Sequence, residues 1–572
     1  MAISAPDARP AGQLARLANT MRHRWLLFLV CGGLAVAEAV GLQLVGFRSA
    51  LPLAPQASAP ATFGVYHDLR WVFTYSWSWL SVVWQLAALV VFRTAVTVTL
   101  IRLSWPVGQA MPPWPRLMRR NLAATVLSVV ALSPWAAIAF AAQAVAFSWF
   151  MIFSIVAAGV TVLVLPLAVT GRWWRRLVLW RSAGWAAVAW LAISVEALAV
   201  SVSPSWIAVA TAFAGGLLNA VVWLGLVATL VHAGEPAHAR PLAPIAIVAV
   251  LAVFLVGLGY AMPAEATPPY RHHLHPSAAP GARPVLYVAG FDSSYDGEPF
   301  SLFDTDRLQS WHYSYRGLGL AGPLAYDKVW THQAVPLSAD KLAAQVDWLA
   351  ARTGGPVTVI AESEGTLVAR GYFATHPSPP VDYYIMVSPL PRPARVYYPP
   401  AGHGGYGLAA GWETRALLRI LHLQNPHFTA GADMPFTRSV VNNAALFRPN
   451  MLCPVPSHVR TVAFIPFAGA TVVYHGPVSH VPWTALPGYH ASLLHRSIVT
   501  HDIERLITTG QLTIHHQSTL AFRAIYGASA AWQAPALPLS LRPSWHTPPH
   551  SDPAFAHWTC THLTPSPLPA PA

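Results

Sequence analysis

The sequence predicts a multi-pass α-helical membrane domain followed by an α/β domain whose sheet is mostly parallel. Two observations predict it. Long apolar stretches are confined to the first 262 residues, and short apolar strands alternate with helical patterns after residue 284. Of the 572 residues, 54% are hydrophobic and only 10% are charged, which is far from the composition of a soluble protein. The chain is also long enough for two or more domains.

Seven apolar stretches within residues 1–262 are long enough to cross a bilayer, since a helical span needs roughly 20 mainly apolar residues. The first stretch is longer than the apolar core of a signal peptide, and six others follow it, so we predict that it is retained. The predicted spans cover residues 25–46, 77–101, 121–142, 146–169, 185–203, 206–231 and 243–261.

Arginine residues predict the orientation of these spans. They cluster before the first span, between the second and third, and between the fourth and fifth, whereas the alternate loops contain only Arg48 and Arg70. Because positively charged loops remain in the cytoplasm, we expect a cytoplasmic N-terminus and an extracytoplasmic position for the chain after about residue 262. The formal net charge of +13 arises mostly from these short loops, which argues against a nucleic-acid-binding face.

Three ionisable residues, Glu38, Arg93 and Glu196, fall inside the predicted spans. Ionisable groups are costly in hydrocarbon and are usually paired or functional there. We hypothesise that Arg93 pairs with one of the two glutamates. The alternative is a purely structural arrangement, with one buried ion pair and an arginine side chain that extends to the membrane–water interface. The spans contain too few other polar residues to predict a proton or substrate relay.

The part of the chain after the spans divides into three regions. Residues 263–284 are rich in proline and polar residues and are predicted to form a linker. Residues 285–533 are predicted to form the α/β domain, with residues 389–457 as an insertion that caps its site, and residues 534–572 form an irregular Pro- and His-rich tail. Strands are predicted at 285–289, 308–315, 357–361, 383–387, 459–466 and 481–486, and helices at 338–353, 366–375 and 501–507.

The segment Val357–Gly365 is the most informative motif in the chain. A short apolar strand ends at Ser363, with Ala361 and Gly365 two residues to either side. A nucleophilic serine has to project from a tight turn at the end of a strand, and such a turn requires small neighbours. A serine that only caps the following helix is the alternative. The adjacent Glu362 and Glu364 are expected to be solvated, and carboxylates that tune the surroundings of the serine are the alternative.

A general base for Ser363 has to come from elsewhere in the chain. His490 is the candidate, because it follows a late strand and the turn sequence Pro487-Gly488-Tyr489. Two backbone N–H groups are candidates for stabilising an oxyanion. One belongs to Glu364 at the start of the following helix, and the other to Phe291 in the loop that begins at Gly290.

These pieces, in this order, resemble the α/β-hydrolase superfamily over about residues 285–510. The resemblance rests on the strand that ends at Gly290-Phe291, the turn around Ser363 and the segment Pro487–His490. It implies a serine nucleophile, a histidine base, hydrolysis or transfer of an acyl group, and no cofactor. The chain departs from the family at Ala361, where glycine is usual. It also departs at the orienting acid, whose two usual positions hold Gly469 and Ser388.

We therefore expect a membrane-anchored, extracytoplasmic serine hydrolase or acyltransferase that acts on an ester or lipid-like substrate of the bilayer or cell envelope. A catalytically degraded domain that binds an envelope component is the alternative. A transporter with an accessory outer domain is a third hypothesis, against which the low polarity of the spans argues.

Cysteine and histidine residues add two smaller expectations. Cys453 and Cys560 both fall in the predicted extracytoplasmic half, where a disulfide would persist, and two free thiols are the alternative. No metal site is predicted, because His272, His273 and His275 are not accompanied by a cluster of cysteines or carboxylates.

Overall fold

A helical bundle and an α/β domain make up the computed structural model of this chain. The structure describes residues 9–145, 150–171, 179–232, 279, 281–303, 305–390, 393, 397–424, 430–447, 455–468, 481–490, 493–538 and 541.

The described part of the bundle contains helices whose apolar lengths match the predicted spans. Four stretches within the described residues are long and apolar enough to cross a membrane: Arg24–Leu44, Trp79–Leu103, Ser182–Val202 and Trp206–Val231. They correspond to the spans predicted to begin at residues 25, 77, 185 and 206. The predicted spans 121–142 and 146–169 fall on α4 and α5, and span 243–261 lies outside the described residues. The bundle helices are α1 (Arg9–Leu44), α2 (Ala61–Tyr75), α3 (Trp79–Leu103), α4 (Trp114–Val145), α5 (Phe150–Thr170), α6 (Leu179–Val202) and α7 (Ser205–Val231).

A buried segment between α1 and α3 was not predicted from the sequence. It consists of a 3-10 stretch, Arg48–Ser58, followed by α2, and most of the residues in both are buried. Arg93 on α3 donates to Asp68 of this segment through Nε and Nη2, at 2.5 Å each. The hypothesis that Arg93 pairs with Glu38 or Glu196 is therefore wrong. Glu38 instead lies 2.8 Å from His67 Nε2, so the charged groups of α1, α2 and α3 form one connected chain.

The α/β domain is built on six parallel strands in the order β2-β1-β3-β4-β5-β6. Each strand lies within a few residues of its predicted position. Because the strands are parallel, their carboxyl ends meet at one edge of the sheet, and the predicted site residues follow β1, β3 and β6 there. The strands are β1 (Arg283–Val288), β2 (Leu308–His312), β3 (Val357–Glu362), β4 (Val381–Val387), β5 (Arg460–Ala468) and β6 (Trp483–Tyr489).

Helices cover both faces of the sheet. Apolar residues of α8 and α9 pack with Leu286 and Val288 on one face, and those of α13 pack with Val285 and Tyr287 on the other. This alternation is the expected burial pattern of a strand that is covered on both sides. The helices of this domain are α8 (Val335–Thr353), α9 (Glu364–Thr375), α10 (Leu408–Gln424), α11 (Pro435–Asn442), α12 (Ala444–Phe447), α13 (Ser497–Thr509) and α14 (His516–Ser529).

Two local boundaries differ from the prediction. Helix α8 begins at Val335, with Pro336 in its first turn, and not at residue 338 as predicted. Strand β6 continues through Pro487 and Gly488, where a tight turn was predicted. Proline is tolerated there because β6 is at the edge of the sheet and has no second neighbour to which an N–H could donate.

The segment after α14, residues 530–537, packs back into the helical bundle and is called the strap below. Arg70 on α2 is buried, and its Nη1 donates to the carbonyl oxygens of Ala531 and Gln533, at 2.8 Å each. Gln56 Nε2 donates to the same Ala531 oxygen at 2.6 Å. Two polar side chains of the bundle, those of Arg70 and Gln56, thus bind the backbone of the strap. In the sequence, both residues fall in a loop between two predicted spans.

Trp532 fixes the strap through its side chain. Its ring stacks on Trp190 of α6 with centroids 6.2 Å apart, and its Nε1–H donates to Ser194 Oγ at 3.1 Å. The next residues, Ala534 and Leu537, are buried although they lie in neither helix nor strand. The irregular tail predicted to begin at residue 534 therefore starts as a packed segment, and its described part ends at residue 541.

We expect Arg70→Met to release the strap from the bundle. The substitution leaves the buried carbonyl oxygens of Ala531 and Gln533 without their charged donor, and hydrogen bonds to charged groups contribute about 1.5–3 kcal/mol each. Limited proteolysis with a nonspecific protease, read by mass spectrometry, should show new cleavage within residues 510–541. Arg48→Met is the matched control, because Arg48 is exposed. Equal protection of the strap in both variants would contradict this role.

Candidate active site

Ser363 lies on a strained turn between β3 and α9. Its backbone has φ 52° and ψ −115°, a conformation that is rare for a residue with a side chain and costs about 1–3 kcal/mol. Its N–H donates to the Val387 oxygen at 3.2 Å, and its own oxygen accepts from the N–H and Oγ1 of Thr366 at 3.0 and 2.6 Å. These bonds hold a conformation that projects the hydroxyl away from the end of the strand.

Two glycines allow this turn to pack against β1. A Cβ on Gly365 would lie 2.3 Å from the oxygen of Val288, and one on Gly290 would lie 2.9 Å from the Cβ of Ser363. Neither position has room for a side chain without displacing the turn. Ala361, the other predicted support, is fully buried in β3 beside Val288 of β1.

His490 is placed directly against the serine. Its Nε2 lies 2.6 Å from Ser363 Oγ, and both residues are buried. Burial lowers the pKa of His490 to about 4, so the imidazole is neutral at pH 7. A neutral ring accepts the hydroxyl proton at Nε2 only when its other nitrogen carries the hydrogen. The geometry is therefore that of a nucleophile bonded to its general base.

The two predicted oxyanion donors belong to the loop after β1 and to the residue that follows Ser363. Gly290 brings the loop after β1 beside Ser363, and Phe291 follows it. Glu364 is the first residue of α9 and follows the serine directly. Neither the Phe291 N–H nor the Glu364 N–H donates to another described residue. Both N–H groups are therefore free of competing hydrogen bonds within the described residues, as donors to a substrate oxygen have to be.

The carboxyl groups of Glu362 and Glu364 are buried, contrary to the expectation that they are solvated. Burial raises the pKa of Glu362 to about 7, against the opposing effect of a hydrogen bond from Tyr287 Oη at 2.5 Å. Burial, with the nearby Asp292 charge, raises the pKa of Glu364 well above its usual value. Burial therefore favours the neutral form of Glu364, which lessens its repulsion of an oxyanion formed beside its own N–H.

An Asp–His pair that the sequence analysis missed shapes the loop after β1. Asp292 has φ 60°, and its carboxylate lies 2.7 Å from His332 Nε2. Its N–H donates to Thr331 Oγ1 at 3.0 Å, and the ring of Phe291 stacks on His332 with centroids 4.8 Å apart. The pair fixes the loop that contains the Phe291 N–H. No spacing rule links Asp292 with a histidine 40 residues away, so only the fold brings them together.

The insertion reaches the site through α11. Phe436 of α11 stacks on Phe291, with ring centroids 5.6 Å apart, and Ser439 Oγ accepts from the N–H of Val335 at 3.1 Å. Arg370 on α9 is buried and donates to the carbonyl oxygens of Leu390 and Phe447. It therefore ties the two ends of the insertion to the helix that follows Ser363.

Several predicted positions lie outside the described residues. Of the two positions expected to hold an orienting acid, Gly469 is outside them. Ser388 follows β4 at φ 48° and is fully buried. Cys453 and Cys560 are outside as well, as are His272, His273 and His275. Within the part of the chain that the structure describes, no group of three or more His, Cys, Asp or Glu side chains could hold a metal ion.

Comparison of the chain with protein-family models, with curated proteins and with solved structures gave no match. The chemistry of the site is therefore argued from its own geometry. That geometry combines a buried serine–histidine hydrogen bond, a strained turn and two N–H groups that donate to no other described residue.

The pH dependence of serine acylation should report the low pKa of His490. The neutral ring is the base, so the rate should stay within about twofold between pH 7.5 and 5.5 and fall only near pH 4. A histidine with an ordinary pKa of about 6.5 would lose roughly tenfold over the same interval. The control is the same profile in Glu362→Gln, which removes a carboxyl that titrates near pH 7. A tenfold loss by pH 5.5 in both proteins would contradict a buried neutral base.

Glu364→Gln should leave the rate of serine acylation within about threefold of wild type, because the glutamine has the shape of the neutral acid. Stopped-flow acylation with an activated ester at pH 7 measures this directly. Glu364→Ala serves as the comparison, since it also removes the packing at the start of α9. A loss of two orders of magnitude in the glutamine variant would show that the ionised carboxylate is required.

Proposed function

We propose that this chain is a membrane-anchored serine hydrolase or acyltransferase that acts on an ester or lipid-like substrate, with an α/β-hydrolase-like domain as its catalytic part. The observation that best supports the proposal is the 2.6 Å contact between Ser363 Oγ and His490 Nε2. Those two residues are 127 positions apart in the chain, and they meet on a turn whose strain has no evident use in a purely structural role.

The proposed reaction follows from the positions of the groups. His490 removes the proton of Ser363 as its oxygen attacks the acyl carbonyl, and the N–H groups of Phe291 and Glu364 bind the resulting oxyanion. The imidazolium then protonates the leaving alcohol, and an acyl-enzyme remains. Water completes hydrolysis, or a second alcohol or amine completes transfer, with His490 again acting as base.

The second candidate function is a hydrolase-like domain that binds an envelope component without catalysis. Ser388, which has no carboxylate, stands at one of the two positions where the family places its orienting acid, and this favours the binding role. In a serine protease, losing the function of this acid costs about 10⁴ in kcat, and substantial catalysis remains. A slow serine–histidine enzyme is therefore consistent with the same observation.

The contacts between domain and bundle support the proposed extracytoplasmic location. Gly405 and Gly407 of the insertion donate N–H groups to the oxygens of Trp77 and Ser76, at 3.0 Å each, just before α3. The other end of α3 leads into the arginine-rich loop between residues 102 and 120. The α/β domain thus docks at the arginine-poor end of α3, which the charge rule assigns to the outside. A substrate from the bilayer or envelope fits this location.

A fluorophosphonate probe tests the proposed function. Wild-type protein in nanodiscs should be labelled on Ser363, and Ser363→Ala should abolish the labelling. His490→Ala should slow it by about 10² to 10⁴, the usual contribution of general base catalysis. Product analysis after incubation with an ester and an alcohol then distinguishes hydrolysis from transfer.

Two matched controls make the labelling result specific. Ser497→Ala and His403→Ala remove an exposed serine and an exposed histidine of the same domain, and both should label as wild type does. Failure of well-folded wild-type protein to label would overturn the enzymatic proposal and favour the binding role.

A further inference from the structure

Helix α10 in the insertion has one face of small residues, and this face packs on the helical bundle. Ala410, Gly411 and Thr414 are buried, and Ala409 and Ala410 belong to the same apolar core as the bundle helices. Small residues allow helices to approach closely, as they do between membrane-spanning helices. The insertion helix is thus packed against α4 as an additional helix of the bundle.

Large apolar residues are exposed on another face of α10. Trp412, Ile420 and Leu423 are 57%, 52% and 82% exposed. The spacing of these residues places them along one side of the helix. Within the described residues no part of the chain covers this side. A soluble domain would rarely leave three such residues on one helix in water.

The exposed face of α10 is continuous with the outer surface of a candidate membrane span. The ring of Trp412 meets that of Trp79, the first residue of α3, edge to face with centroids 6.2 Å apart. Along α3, Leu80, Val83 and Trp84 are more than half exposed. Because α3 is long and apolar enough to cross a membrane, this exposed side is the one that faces acyl chains. The two apolar surfaces join at the Trp79–Trp412 contact.

We propose that α10 is an interfacial helix, with its exposed apolar face in the bilayer leaflet on the side of the α/β domain. Trp412 and Trp79 lie where the aromatic belt of a membrane protein is expected, at the end of a span. The exposed Arg419 is positioned on the same helix to meet lipid phosphates, as basic residues do in interfacial helices. The partner of this surface is the lipid bilayer.

The inference also bears on the substrate, a step that rests on the proposed function. Asp433 accepts a hydrogen bond from Arg415 of α10 at 2.6 Å. It also lies next to the start of α11, where Phe436 stacks on Phe291 in the loop after β1. A short, bonded connection therefore runs from the lipid-facing helix to the site. This connection supports the inference that the substrate is a long-chain lipid ester, which enters the site directly from the leaflet.

Spin labels measure the lipid contact without reference to catalysis. Ile420→Cys and Leu423→Cys are labelled in nanodiscs, in a background in which Cys31, Cys453 and Cys560 are replaced. The ratio of oxygen to nickel-chelate accessibility should be severalfold higher at both positions than at Ile498→Cys. Ile498 is a comparably exposed residue on α13, which packs on the other face of the sheet. A water-like ratio at positions 420 and 423 would overturn the proposal, and so would low accessibility to both reagents, which indicates a protein partner.

A second measurement separates this inference from the proposed function. The double variant Ile420→Asp, Leu423→Asp should keep wild-type fluorophosphonate labelling and wild-type hydrolysis of a short soluble ester. It should lose most of its hydrolysis of a long-chain ester presented in vesicles. Equal loss on both esters would overturn the role in lipid uptake. Absence of labelling in the wild type would count against the proposed function alone and leave the spin-label result standing.

Discussion

The close approach of β1 and β3 at their carboxyl ends is the constraint on which the site depends. Gly290 and Gly365 leave no room for a Cβ where the turn between β3 and α9 passes β1, and Ser363 has a positive φ in this turn. The same approach sets the loop after β1 beside the serine. Backbone packing thus places Ser363, the proposed nucleophile, beside the loop that contains the Phe291 N–H.

Burial sets the electrostatics of the site. It lowers the pKa of His490 and raises those of Glu362 and Glu364, so that the neutral form of each of these groups is favoured around the hydroxyl. In such surroundings an N–H dipole stabilises a developing oxyanion more strongly than in water. In the proposed reaction, the neutral histidine would gain a charge in these same buried surroundings.

The sequence allowed the strands and the serine–histidine pair to be predicted, because parallel buried strands are short apolar runs and the site follows their ends. It did not allow the buried segment at Arg48–Tyr75 to be predicted. His67, Asp68 and Arg70 resemble loop residues, and their partners come from α1, α3 and the strap. Strand β6 was shortened in the prediction for a related reason, since Pro487 breaks most strands but not one at the edge. In each case the prediction required knowledge of which segments lie beside these residues in the folded chain, and the local sequence pattern does not contain that information.

The helical bundle holds the α/β domain at two places that are far apart in its chain. The insertion docks by α10 and by Gly405 and Gly407, and the strap enters the bundle after α14. The first attachment is connected through Phe436 to Phe291 in the loop after β1. The second is connected through α14 to β6, the strand that precedes His490. Donor loop and base are therefore each connected to a different part of the bundle. In addition to the covalent link between the two domains, the bundle therefore contacts elements that lead to both sides of the Ser363–His490 contact.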